Sequence, residues 1–227
     1  MTTSMTLCFA PGSCSRVPLI ALEEIGVPFE TRLIAFMAQE HRSADYLAIN
    51  PSGKVPVLIT ANGAVTQNPA ILWYLARTFP EAGLLPAAET MQQEAQYLGR
   101  LMRFSSDIHP LVTRFVMPHF FCDVLDAHAD IRTKAGDALA GQLSGIEAQL
   151  AQTNWLLGDD IWSILDAYLF WVWLRITGAG FDGSAFPSIA RHHAAMHQRP
   201  SVQRALAREQ IAMDQLAERG LAVPMPR

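Results

Sequence analysis

The chain is poor in the features that tie a protein to a membrane, to nucleic acid or to an oxidising compartment. Among its 227 residues there are three cysteines, Cys8, Cys14 and Cys122. That number is small and odd, which argues against a disulfide framework and fits a reducing cytoplasm. The longest uncharged apolar run, Ala167 to Leu174, is eight residues, against the ~20 needed to span a bilayer. The start, Met1-Thr2-Thr3-Ser4-Met5, lacks the basic-then-apolar plan of a secretory signal. Charged residues make up 17% of the chain, the net charge is −4, and no basic run occurs. The arginines between Arg199 and Arg208 alternate with apolar residues, as on a solvated helix face. No membrane and no nucleic-acid partner is expected. The histidines, His192 and His193 among them, lack metal-ligand spacing with other donors, so no metal is expected either.

What is present is enough for a full core: half of the residues are hydrophobic, in a length that suits one large domain or two small ones. The first part alternates strand and helix patterns. Thr6-Leu7-Cys8-Phe9 reads as a strand. Ser15 is placed to cap a helix with Pro18 in its first turn, where the missing N–H costs little. Val17, Ile20, Ala21, Leu22 and Ile25 give that helix an apolar face, and Gly26 ends it. Phe29 to Ile34 reads as a second strand. Val55 to Thr60 and Ala64 to Thr66 flank a hairpin signal at Ala61-Asn62-Gly63. Asn68 then reads as a cap before Pro69 at the first helical position. Pro80, Gly83 and Pro86 mark a boundary. Beyond it, residues 89–122, 128–153, 163–178, 187–198 and 201–219 all carry helical spacing. The reading is an α/β domain over 1–82, a linker at 83–88 and an all-helical domain over 89–227.

Three features of the first part carry chemistry. Cys14 sits at a helix entrance, where free N–H groups and the positive end of the helix dipole favour a thiolate. Thiols in such places fall to about 3.5–7.5 from roughly 8.5; the other reading is a small buried residue. No second cysteine follows at C-x-x-C spacing, so a mixed disulfide there needs an outside thiol. Pro56 opens a strand, where proline belongs at an edge or a cis turn. A cis Val55–Pro56 bond turns the N–H and C=O of Val55 outward for an added strand; a trans bond is the other reading. Gln67 and Asn68 head a helix with free N–H groups and no acidic side chain, an anion site or simply a cap.

Together these describe an extended ligand with a carboxylate, a peptide backbone and a thiol. The chain resembles the cytosolic glutathione S-transferases, most of all the bacterial beta class. The resemblance is carried by Ala10-Pro11-Gly12-Ser13-Cys14-Ser15, by Asp45-Tyr46-Leu47-Ala48-Ile49-Asn50-Pro51 and by Gly53-Lys54-Val55-Pro56. It implies a thioredoxin-like N-terminal domain, an all-helical C-terminal domain and a homodimer with one glutathione per subunit. Carried over by position, Cys14 faces the glutathione sulfur, with Ser13 and Ser15 as rival donors. Val55 pairs with the cysteinyl backbone beside Lys54 and a cis Pro56, and Gln67 and Asn68 hold the γ-glutamyl carboxylate and amine. Gln67 stands where relatives often have an acidic residue, and Ala35-Phe36-Met37-Ala38 lacks their common lysine. No tyrosine precedes Tyr46, which disfavours classes that use an N-terminal tyrosine.

In the helical part His109 stands where beta-class relatives carry an active-site histidine; otherwise it is an edge residue at a helix bent by Pro110. Val112, Thr113, Val116 and Phe120 wall an apolar electrophile site or pack the bundle. Ser163-Ile164-Leu165-Asp166 resembles the family's folding motif and is assigned to structure. The activity implied is conjugation of glutathione to small apolar electrophiles, a detoxification chemistry, with thiol transfer through Cys14 beside it. The alternatives are glutathione-dependent reductive dehalogenation or ether cleavage, and a non-catalytic binding or stress protein on the same fold.

Overall fold

Four short strands, β1 (Thr6–Phe9), β2 (Glu30–Leu33), β3 (Val57–Thr60) and β4 (Gly63–Thr66), form one sheet in the order β2-β1-β3-β4. A computed structural model describes residues 5–221; the opening Met1 to Ser4 and the ends of the expected 1–82 and 89–227 ranges lie outside the described residues. β1 and β2 run parallel, which requires a crossover, and helix α1 (Arg16–Ile25) supplies it. β3 runs antiparallel to both β1 and β4. The hairpin signal is realised as a two-residue turn closed by the Thr60–Gly63 pair, with Gly63 at φ 120°. Helix α2 (Ala44–Ile49) lies between β2 and β3, and α3 (Asn68–Thr78) follows β4 and packs on α1. This is the expected thioredoxin-like arrangement.

α1 keeps its expected proline near the start and its expected glycine stop. Pro18 falls in the first turn, and Gly26 ends the helix at φ 76° with its N–H on the carbonyl of Leu22 at 3.1 Å.

The second part is helical: α4 (Met91–Arg103), α5 (His109–Val116), α6 (Ala127–Leu150), α7 (Ile164–Thr177) and α8 (Pro187–His197). The single helix expected over 89–122 is interrupted. Pro110 has no N–H for the carbonyl four residues back, and the chain absorbs this with a π turn at Phe104–Ile108, where the His109 N–H reaches the carbonyl of Phe104. Pro118 then stops α5. α7 runs through the core of this part, and its entry is a capping box in which Ser163 and Asp166 satisfy each other's backbone groups.

The division of the chain differs from the expectation at its end. Among the described residues, those up to 84 together with 198–221 form one unit, and 85–197 form the other. The last helix, α9 (Pro200–Glu218), packs on α1 instead of joining the bundle. Charge explains this. The arginines read as a solvated face meet glutamates of α1: Arg204 and Arg208 both pair with Glu23, at 2.7 and 2.5 Å, and Arg199 pairs with Glu24.

Candidate functional site

The loop from Ala10 to Ser15 joins β1 to α1, and its hydrogen bonds fix where the thiol sits. Ser15 occupies the cap position of α1 but makes no capping bond, contrary to expectation. Its hydroxyl turns back to Ala10, accepting from that N–H at 3.2 Å and lying 3.1 Å from the carbonyl. Ser13 donates to the same carbonyl at 2.7 Å, and the two hydroxyls are 2.6 Å apart. These serines hold the loop closed. Half-buried Cys14 places its Sγ 3.7 Å from the carbonyl oxygen of Val55.

A second clamp comes from far along the chain. Glu209 of α9 accepts the Gly12 N–H at 3.1 Å through one oxygen and Arg16 Nε at 2.8 Å through the other. Both side chains of this ion pair are almost wholly buried, at 6% and 2% exposure. One carboxylate thus fastens the loop before Cys14 and the first turn after it.

The Val55–Pro56 bond is cis. Val55 precedes the first ladder residue of β3, Val57, so its backbone takes no part in the strand pairing. The preceding carbonyl, that of Lys54, accepts from the Tyr46 hydroxyl and from Asn50 Nδ2, each at 2.7 Å. Gly53 sits at φ 61°, and a Cβ there would come within 2.9 Å of the His41 carbonyl oxygen, so only glycine fits the approach. The Lys54 side chain itself points to solvent.

Burial pushes the Tyr46 hydroxyl up to about 12. Its folded value therefore lies above the unfolded one of about 10, and the neutral phenol supports the fold below pH ~10 and loses that support as pH rises toward 12. Tyr46→Phe should flatten the alkaline limb of a stability–pH curve from urea unfolding. It should also lower stability at neutral pH by about 1 kcal/mol, because the Lys54 carbonyl loses a donor.

At the entrance to α3 the cap is Gln67, not Asn68. Gln67 is exposed and left-handed at φ 71°, an uncommon conformation for a residue with a side chain. Asn68 is the first helical residue; it is buried, and its Nδ2 donates to the Cys14 carbonyl at 2.9 Å. The first unit thus brings Cys14, Val55 and Asn68 together, with Gln67 beside them.

In the second unit His109 Nδ1 lies 3.0 Å from the Tyr168 hydroxyl, and its ring meets Trp171 edge-on at 4.5 Å between centroids. Thr113 donates to the His109 carbonyl one turn on. Thr113 and Val116 are half-buried and Phe120 is 66% exposed, whereas Val112 is closed into the core and serves packing. Among the described residues no group of His, Cys, Asp or Glu side chains could hold a metal ion.

The family model of the glutathione S-transferase N-terminal domain matches residues 12–78, the stretch that contains Cys14, Val55, Gln67 and Asn68. Glutathione S-transferase GST-4.5 of Xanthomonas campestris pv. campestris is 33% identical over 186 residues, covering 79% of this chain and 87% of that protein. The chain belongs to the glutathione S-transferase family. A sphingomonad glutathione S-transferase solved in complex with glutathione shares its fold at TM-score 0.79 and 31% identity, over 91% of this chain and 99% of that one. A beta-class enzyme from Sphingomonas chungbukensis is alike at TM-score 0.78 and 31% identity, over 90% and 98%.

Four residues that position this glutathione S-transferase's thiol loop and Val55 turn escaped sequence reasoning. Arg16 and Glu209 lie 193 positions apart, and no local pattern links them. Tyr46 and Asn50 stand in a stretch that pointed to the family without revealing its job; their spacing of four, ending at the turn Pro51-Ser52-Gly53, was the available signal.

Proposed function

We propose that the protein binds glutathione along Val55 and conjugates it to small apolar electrophiles. The observation that carries this is the Cys14 sulfur at the head of α1, 3.7 Å from the Val55 carbonyl oxygen and tied through Asn68 to the start of α3. On this reading the cysteinyl backbone of glutathione pairs with Val55 beside cis Pro56, and Gln67 with the backbone start of α3 takes the γ-glutamyl end. Lys54 borders the same edge. Asn68 Nδ2 is engaged by the Cys14 carbonyl, while its buried Oδ1 has no partner among the described residues and is left to accept from the γ-glutamyl amine. Cys14 donates its S–H to the glutathione thiolate, which attacks the electrophilic carbon while the leaving group departs. Ser13 and Ser15 are weaker rivals because each already bonds within the loop. His109, steadied by Tyr168, would polarise the electrophile, with Thr113, Val116 and Phe120 as its apolar wall. A homodimer in the cytoplasm belongs to the same proposal.

A second reading rests on the same sulfur. A Cys14 thiolate attacks oxidised glutathione, forming a mixed disulfide and releasing one glutathione thiolate. A further glutathione thiolate then attacks that bond and frees Cys14.

Cys14→Ala separates the readings. Loss of one hydrogen bond to an ionised sulfur should lower conjugation about 10- to 100-fold while glutathione still binds by calorimetry. Thiol transfer, in contrast, should vanish with the mixed disulfide seen by intact mass. Full activity of Cys14→Ala in both assays would remove the cysteine from the mechanism. Absence of heat with millimolar glutathione would instead favour a binding platform on the same fold.

A further inference from the structure

The second unit carries a groove that the chemistry at Cys14 does not use. It encloses about 660 Å³, within the size range of small-molecule sites, and lies between α6 and the loop joining α7 to α8. α6 gives it a floor of small residues, Ala129, Thr133, Gly136 and Ala140. A Cβ on Gly136 would stand 3.3 Å from the Phe115 ring, tighter than ordinary contact.

The wall is aromatic and held in place. Phe181 meets Phe115 edge-on and Phe186 at a tilt, each at 5.8 Å between centroids, and Trp173 backs both Phe181 and Phe186. The loop is pressed onto that indole, since a Cβ on Gly183 would come within 2.8 Å of it. Its backbone is pinned as well: the Phe181 N–H donates to the Ile176 carbonyl at 3.0 Å and the Phe186 N–H to the Gly183 carbonyl at 2.9 Å. A wall built in advance leaves little ordering cost for a ligand.

Charge on the rim is unbalanced. Asp137 and Asp182 are exposed, and neither has a cationic partner among the described residues. The N–H and hydroxyl of Ser184 hold the Asp182 carboxyl below the usual carboxylate range, so it is ionised at neutral pH. The cation on the lining, Arg132, is committed elsewhere. Its guanidinium lies over the Phe115 ring at 4.7 Å and donates to the Ala179 carbonyl, and it forms no ion pair with either aspartate.

From this we infer that the groove between α6 and the loop after α7 binds an arylalkylammonium ion. The ring lies against Phe181 over the small residues of α6, and the ammonium meets the acidic rim at Asp137 and Asp182. A carboxylate keeps acceptor sites to spare after the bonds to Ser184. An alcohol of the same shape would keep the wall and forgo the charge; a short alkylammonium would do the reverse. Because both carboxylates are exposed, binding weakens as ionic strength rises.

The test titrates the full chain at low salt with 3-phenylpropylamine, with 3-phenylpropanol and with ethylamine, read by calorimetry. The arylamine should bind about tenfold more tightly than the alcohol and more tightly than ethylamine. Asp137→Asn combined with Asp182→Asn should erase the preference for the amine at an unchanged melting temperature, since asparagine keeps the oxygen that accepts from the Ser184 N–H. Equal affinity for arylamine and alcohol, ethylamine binding as well as the arylamine, no heat at millimolar arylamine, or a preference that survives both substitutions would each overturn the assignment. If the double variant unfolds, Thr133→Leu with Ala185→Leu decides, since both positions are exposed and the change narrows the groove while keeping both carboxylates. Undiminished arylamine binding in that variant refutes the site, and its loss supports it.

Discussion

Glu209→Ala should destabilise the protein by about 3–5 kcal/mol, the usual cost of removing one partner from a buried ion pair. The guanidinium of Arg16 would be left in an almost closed environment, and the bond from the Gly12 N–H to Glu209 would be lost. Such a loss is a large share of a domain stability of about 5–15 kcal/mol, so a sharp fall in urea midpoint is expected. The paired variant Arg16→Met with Glu209→Leu separates two contributions. Replacing both charges with apolar groups of similar volume should restore most of the midpoint. It should not restore the loop, because the hydrogen bond from the Gly12 N–H to the Glu209 carboxylate stays broken. The rate of mixed-disulfide formation at Cys14 with oxidised glutathione should therefore remain low in the paired variant. A paired variant with native midpoint and native rate would show that Glu209 acts on stability alone.

Asp166→Ala should cost a similar amount, about 3–5 kcal/mol, through a different mechanism. This fully buried carboxylate accepts from the Ser163 N–H at 2.8 Å, the Ser163 hydroxyl and the Leu156 N–H at 2.9 Å, and it meets His192 Nε2 at 2.9 Å. Truncation strands several buried donors at once, each worth about 1–3 kcal/mol when unsatisfied. Ser163→Ala is the internal comparison. It removes one cap oxygen and should cost only about 0.5–2 kcal/mol. Equal losses in the two variants, measured by urea unfolding, would mean that Asp166 acts only as a cap and that its bonds to Leu156 and His192 carry little.

The order of elements was legible because its signals are local. Apolar spacing located β1, α1, the hairpin and the helical segments of the second unit, with α4 and α5 read as one, and Gly26 and Pro18 marked the limits of α1 as expected. Ser163 and Asp166 declared a capping box four residues long. The misreadings share one cause, competition among partners that a local pattern does not rank. Ser15 had the right residue type for a cap, but the Ala10 backbone was a better partner for its hydroxyl. Asn68 likewise left the cap to Gln67 and reached the Cys14 carbonyl instead. Pro110 was recognised as a bend, yet only the folded backbone showed that a π turn accommodates it. The arginines of α9 alternate with apolar residues whether they face water or glutamates, and the glutamates lie some 180 positions earlier. At the site, Cys14, Val55 and Gln67 could be proposed from motif positions. The clamp that orients them could not, since Glu209 and Tyr46 act through contacts set by tertiary structure.

The assignment of α9 to the first unit has a consequence for how the chain is made. Synthesis proceeds from the amino end, so the sheet and α1 emerge long before the segment that neutralises Arg16 and captures Gly12. The bundle of residues 85–197, contiguous in sequence, can close while its predecessor still waits for its last piece. A chain ended at residue 197 and released should therefore resist protease across the later segment and be cut readily in the earlier one, an inversion of the usual vectorial order.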